Sequence, residues 1–192
     1  LLGNRFFLPV QEGYQDNSTS WGHDVEAAKK LLDGAGWVAG SDGVRAKDGT
    51  KLELVMTIPS NAPVATNEAN LLQKQLGEIG IKLSVSTVEI DKYFPEYLNK
   101  KNYALTAFTT ENTQYPLANV GQYYASTSQS NYTGLSVPEV DQYVAKIGST
   151  PDGAERNKLA NELDKILWEN VFNIPIYQRM QLTAVPKTLR NF

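Results

Sequence analysis

Few residues in this chain have the types and spacing needed for chemistry. His23 is the single histidine and there is no cysteine. Thiolate catalysis, disulfides and cysteine zinc sites are therefore out of reach. A Ser-His-Asp triad would have to use His23, which sits at a predicted helix start beside a capping Asp24, and no Gly-x-Ser-x-Gly turn accompanies it. There is no His-x-x-x-His spacing, no carboxylate cluster suited to a metal and no glycine-rich phosphate loop. Neither a cofactor nor a metal is expected. Three carboxylates remain. Glu89 and Asp91 follow one predicted strand and Glu111 follows another, so a glycosidase-type pair could be drawn from them. The simpler reading makes Asp91 a helix cap and Glu89 a solvated side chain. Glu111 lies in a polar, aromatic stretch, where a carboxylate could hold a ligand ammonium or guanidinium by a charge-assisted hydrogen bond. A plain surface glutamate fits that position equally well. The same stretch, 111–133, carries Tyr115, Tyr123, Tyr124 and Tyr132. Tyrosine offers a flat apolar face and a hydroxyl, which suits adaptable binding of polar ligands, although half-buried packing is the competing role for each.

The elements that must position these residues lie between Lys51 and Asn112. Leu52–Ile58 alternates apolar and polar side chains as a strand does. Pro59–Pro63 breaks it. Ala65, Ala69, Leu72, Leu76 and Ile79 then recur at helical spacing, and Gly80 stands where a left-handed residue closes a helix. Ile81–Val88 alternates again, Asp91–Lys100 reads as a short helix, and Tyr103–Thr109 as a third strand. Strands separated by helices imply parallel pairing through right-handed crossovers. The loops leaving the carboxyl ends of such strands share one edge, and ligands bind there. That reasoning selects Pro59–Pro63 and Thr110–Pro116.

On either side the pattern is simpler. Leu1–Ser20 is irregular and reads as a linker or a lead-in packed on the core. Asp24 caps a predicted helix whose apolar face is Val25, Ala28, Leu31, Leu32 and Ala35, with Gly36 as the stop and Trp37 folded back on its end. Gly40–Gly43 and Lys47–Gly49 bracket a small hairpin. Ser136-Val137-Pro138-Glu139 reads as a capping box opening a helix with stripe Val140, Tyr143, Val144, Ile147. Thr150-Pro151 reads as the cap and first residue of the next helix, which carries Ala154, Leu159, Leu163, Ile166 and Leu167. Phe172–Tyr177 reads as a strand and Gln181–Val185 as another.

The 192 residues suffice for one domain with a real core, and 41% hydrophobic with 20% charged is globular composition. A net charge of -3 with no basic stripe argues against a nucleic-acid partner. No apolar run approaches the ~20 residues that span a bilayer. Leu1-Leu2-Gly3-Asn4, without an initiator Met, reads as the middle of a longer chain, so a missing export signal carries no information.

Seven short matches in order then carry a resemblance: Asp24-Val25-Glu26-Ala27-Ala28-Lys29-Lys30-Leu31-Leu32-Asp33-Gly34-Ala35-Gly36-Trp37; Asp48-Gly49-Thr50-Lys51-Leu52-Glu53-Leu54; Leu76-Gly77-Glu78-Ile79-Gly80-Ile81-Lys82; Asn131-Tyr132-Thr133-Gly134; Pro138-Glu139-Val140-Asp141; Trp168-Glu169; and Ile174-Pro175-Ile176-Tyr177-Gln178. Together they resemble the second lobe of family 5 extracellular solute-binding proteins, the peptide, oligopeptide and nickel receptors of ABC importers. The resemblance implies an α/β fold, a type II periplasmic-binding-protein-like lobe with an open, mixed, mostly parallel sheet flanked by helices. It implies residues 1–22 as lead-in and 23–192 as the carboxyl-terminal lobe. It implies no enzymatic role, an extracytoplasmic location, and three partners: a small polar solute such as a peptide, a first lobe, and the permease subunits. Asn61, Glu111, Asn112, Tyr115 and Tyr132 are the ligand-binding residues expected in the cleft. Peptide-binding members often carry Trp-x-x-Asp after the third strand. Here Phe108-Thr109-Thr110-Glu111 stands in its place, with Phe for Trp and the longer Glu for Asp. A ligand-sensing domain of a regulator and a carboxylate hydrolase are the alternative readings.

Overall fold

A computed structural model of the chain describes residues 2–110, 115–178 and 184–190. Asp24 caps helix α1 (Val25–Gly34), its carboxylate accepting from the Ala27 N–H at 2.8 Å. Gly36, at φ +85°, ends the turn, and the Trp37 N–H returns to the Leu32 carbonyl. A small antiparallel meander follows: β1 (Val38–Ala39), β2 (Arg45–Lys47) and β3 (Thr50–Lys51). The turn between β2 and β3 has Asp48 and Gly49 both at positive φ, which is why Asp-Gly stands there.

Arg45 ties these pieces to the next unit. Its buried guanidinium donates to Asp33 of α1 at 2.5 Å, to the Trp37 carbonyl at 2.6 Å and to the Ile79 carbonyl at 2.7 Å. The apolar face of α1 is another matter. The sequence stripe predicts burial, yet none of the helix is buried and Leu31 is 76% exposed. Amphipathic spacing shows that a face is suited to burial. It does not say that the partner lies within these residues.

The central sheet is β5-β4-β6, all parallel, with β4 (Glu53–Pro59) in the middle, β5 (Lys82–Val88) on one side and β6 (Leu105–Thr106) on the other. Leu54 pairs with Leu83 and Met56 with both Val85 and Leu105. Helix α2 (Pro63–Glu78) covers the face formed by Met56, Ile58 and Leu83, inserting Ala65 and Ala69 with Leu72 and Leu76 alongside. Gly80, at φ +84°, follows α2 as expected, and a Cβ there would meet Arg45 Cγ at 2.8 Å.

The predicted helix Asp91–Lys100 is a short α3 (Ile90–Lys92) continued by a π-helical turn, Tyr93–Leu98. Pro95 lacks an N–H, and the Asn99 N–H reaches five residues back to the Phe94 carbonyl. Asp91 does not cap this helix. Glu89 holds the cap position without a side-chain capping bond and pairs instead with Lys92 at 2.5 Å. The third strand is two residues long where seven were expected. Past Thr106 its carbonyls leave the ladder, that of Ala107 accepting the Tyr93 hydroxyl.

The remainder is helical: α4 (Val120–Tyr124), α5 (Pro138–Ser149) and α6 (Gly153–Glu169). The expected stripe of α5 is present, with Val140 and Ile147 buried and Tyr143 and Val144 packed beside them. Both predicted caps are displaced. Val137, extended ahead of Pro138, precedes α5 with no side-chain capping bond. Thr150, extended ahead of Pro151, spends its hydroxyl on the Lys146 carbonyl of α5, and Asp152 caps α6 by accepting from Glu155 N–H at 2.8 Å. In both places proline holds its predecessor out of helical geometry.

Phe6 and Phe7 lie in this second core with Val120, Leu163, Leu167 and Phe172. A polar lattice anchors them. Asn4 donates to Asn161 and accepts from the N–H groups of Phe6 and Phe7, all at 2.9 Å. Arg5 pairs with the fully buried Asp164 at 3.0 Å, and its guanidinium stacks 4.3 Å from the Trp168 ring. Phe172–Tyr177 is not a strand: Ile174 and Ile176 are exposed, and the segment is tied to the start of the chain by Leu2 N–H on the Pro175 carbonyl. The second predicted strand, Gln181–Val185, falls mainly outside the described residues.

Candidate functional site

A cleft of about 390 Å³ opens at the carboxyl end of β6. Thr109 and Thr110 continue from that strand, Phe94 comes from the π-turn after β5, Asn119, Gln122 and Tyr123 from the start of α4, and Tyr132 from the loop before α5. This is the sheet edge that the topology selects. Phe108 and Tyr132 meet edge to face at 5.1 Å, and Phe94 meets the same tyrosine at 6.1 Å. The rings form an apolar corner, ringed by amide and hydroxyl groups. No described lining residue is charged.

The segments that present Tyr132 and Phe108 are held from behind. Asn131 is buried and knots the loop that presents Tyr132. Its amide donates to the carbonyls of Ala125 and Leu135, and its oxygen accepts from the Thr133 hydroxyl and the Gly134 N–H. The Tyr132 carbonyl accepts the Tyr103 hydroxyl at 2.5 Å. The Tyr93 hydroxyl lies 2.8 Å from the Ala107 carbonyl and 2.5 Å from Thr106 Oγ1, while Thr106 Oγ1 itself donates to the Thr57 carbonyl at 2.9 Å. With the threonine proton spent on Thr57, the one phenolic proton of Tyr93 is shared between Ala107 and Thr106. Burial pushes the phenols of Tyr93 and Tyr103 above their ordinary range.

Of the five expected ligand-binding residues, the structure puts Tyr132 in the cleft. Asn61, at φ +57° in the turn after β4, and Tyr115, 68% exposed, do not line it. Glu111 and Asn112 lie outside the described residues, directly after Thr110. Phe94, Asn119 and Gln122 escaped sequence reasoning. Phe94 sits in a stretch whose helical reading gave no sign of a π-turn, and the two amides carry no motif. The hydrolytic pair finds no support at Glu89, whose exposed carboxyl is held below its usual range by its hydrogen bond to Lys92. Among the described residues no group of three potential metal ligands occurs, and no helix is long and apolar enough to cross a membrane.

The family model described as bacterial extracellular solute-binding proteins, family 5 Middle, matches residues 2–134. The chain belongs to this family. Oligopeptide-binding protein OppA of Mycobacterium tuberculosis is 31% identical over 191 residues, a match covering 100% of this chain and 32% of OppA. The chain thus spans about a third of the length of the curated relatives it matches. Among solved structures, the periplasmic EDTA-binding protein EppA superimposes with a TM-score of 0.82 at 26% identity, covering 92% of this chain and 34% of that one. The oligopeptide-binding protein of Thermus thermophilus, complexed with a pentapeptide, gives a TM-score of 0.78 at 18% identity, covering 90% of this chain and 32% of that one. A parallel sheet flanked by helices, as the sequence pattern and the resemblance imply, is the fold observed, with the antiparallel strands confined to the separate meander.

Proposed function

We propose that this chain is the carboxyl-terminal lobe of an ABC-importer receptor. It captures a small polar solute, most simply a peptide, against a first lobe and presents it to a membrane permease outside the cytoplasm, with a lipid anchor carried elsewhere on the complete protein. The observation that carries this reading is the cleft itself. Its volume lies at the low end of the ~300–1,000 Å³ typical of ligand sites, and it is lined by rings, amides and hydroxyls at the carboxyl edge of a parallel sheet. Half a site of this kind contacts a solute from one side only. A second lobe would complete the enclosure and exclude water.

The name of OppA and the pentapeptide in the Thermus protein support a peptide as cargo. In this reading Glu111, next in sequence to the cleft residue Thr110, meets the amino group of the ligand. Asn112 adds a backbone or amide contact, and Asn61 and Tyr115 complete the rim when the lobes close. Calorimetric titration of the complete receptor with a pool of tri- to pentapeptides tests the proposal. Binding heat is expected. Its absence across the pool would remove the peptide assignment.

A further inference from the structure

Three of the aromatic residues that line the cleft, Phe94, Phe108 and Tyr132, form its apolar corner, and two tyrosines that do not line it hold them. Tyr93 is buried, 2% exposed, at the first position of the π-turn. Its ring packs edge to face on Phe94 at 5.4 Å, and its hydroxyl grips the carbonyl of Ala107, the residue just before Phe108. One side chain therefore fixes two of the three rings, one by contact and one through the backbone. Tyr103 does the same for the third, since its hydroxyl binds the carbonyl of Tyr132 itself. Phe94 and Phe108 are themselves 42% and 38% exposed. Both also touch the Tyr132 ring, so the three rings form one cluster set by what lies beneath it.

Resting on the solute-binding reading above, we propose that Tyr93 and Tyr103 are positioning residues of the binding site. Their hydroxyls preset the aromatic corner before ligand arrives, and affinity depends on them although neither lines the cleft. The gain is one of preorganisation. A corner that is already set loses less conformational freedom when a ligand seats in it. The thermodynamic role is separable from a packing role because Tyr→Phe keeps the ring and deletes only the hydroxyl.

The test uses the complete receptor in four forms: wild type, Tyr93→Phe, Tyr103→Phe, and Tyr143→Phe as a control hydroxyl outside the cleft. Each is titrated with the tri- to pentapeptide pool and followed by thermal unfolding. Each cleft-side variant is expected to bind about three- to tenfold more weakly, the size of one lost hydrogen bond, while the control binds as wild type. A ligand-free arm places 4-fluorophenylalanine at position 108 and, separately, 3-fluorotyrosine at position 132. The fluorine resonance at 108 is expected to move more in Tyr93→Phe than in Tyr103→Phe, with the reverse at 132, the edge-to-face contact between the two rings passing only a smaller shift to the other probe. That pairing is not produced by general destabilisation, which moves both resonances together. Unchanged affinity in both variants, or fluorine resonances that ignore the paired substitution, overturns the proposal. Should wild type bind no peptide, the peptide assignment falls by itself and the fluorine arm alone decides whether the two hydroxyls set the corner.

Discussion

Tyr123 and Tyr124 are adjacent in sequence and have opposite surroundings. Tyr123 lines the cleft, while Tyr124 packs edge on against Phe6 at 5.6 Å and against Phe172 at 6.3 Å. The helical rotation of ~100° per residue between neighbours is enough to separate a binding face from a core face. Desolvation pushes the Tyr124 phenol up to about 12. The folded state therefore keeps a proton that the unfolded chain releases near pH 10, and stability falls as pH rises between these values. The contribution is fully present below about pH 10 and gone above about pH 12. Two units correspond to roughly 2–3 kcal/mol. Denaturant unfolding of wild type and Tyr124→Phe at pH 9 and at pH 12 should show the variant losing less stability across that interval. An equal loss in both would mean that Tyr124 does not carry this sensitivity. Asn131 shows the same dependence on surroundings. Its motif was visible in the sequence, but its role is to knot the loop with four hydrogen bonds from its amide while its neighbour Tyr132 lines the cleft.

Among the elements, the junction of α2, β2 and β5 depends on one glycine. Gly80 combines a left-handed backbone with an Arg45 side chain lying where a Cβ would point. Gly80→Ala should cost about 1–3 kcal/mol, more than the backbone conformation alone, because Arg45 must move off the carbonyls it binds. Chemical denaturation measures this, and a loss below about 0.5 kcal/mol would show that the arginine yields without cost. The strands and helices with strong periodicity were legible: α1, α2, β4, β5, α5 and α6 stand close to where apolar spacing places them. The failures have separate causes. The cap of α5 falls on Val137, which Pro138 at the first helical position keeps extended, while the cap of α6 falls on Asp152, whose carboxylate takes the Glu155 N–H as the Thr150 hydroxyl goes back to the Lys146 carbonyl. The shortened β6 and the missing strand at Phe172–Tyr177 have strand-like side chains, but strand formation needs a neighbouring strand, which side-chain type cannot supply.

At the scale of the molecule, the start and end of the chain are held together by charge. Asp164 is completely buried and accepts from Arg5, from the Arg5 N–H and from Asn17. Removing it leaves the Arg5 guanidinium without its carboxylate in a dry site. Asp164→Ala should therefore destabilise by about 3–5 kcal/mol, while the paired Arg5→Met, Asp164→Leu variant recovers much of that loss. Thermal unfolding of the three forms checks it, and a double variant no better than the single would locate the cost elsewhere. On the half-site reading proposed above, the 192-residue chain alone should bind any peptide that the complete receptor binds at least about a hundredfold more weakly. Calorimetry on both proteins decides, and equal affinity would mean that this lobe is a self-sufficient site.

The sequence by itself determined the parallel βαβ unit, the sheet edge at which to look, the absence of thiol chemistry and the family. Those follow from local rules: the period of apolar residues, the turn residues between them, and short motifs in a set order. The tertiary structure alone decided which aromatic rings share the cleft, that a π-turn delivers one of them, and that Tyr93 and Tyr103 stand behind the wall. It also decided that Phe6 and Arg5 belong to the core built by α6, at the far end of the chain. Contacts between residues so distant in sequence are set by how whole elements pack, and no local pattern encodes them.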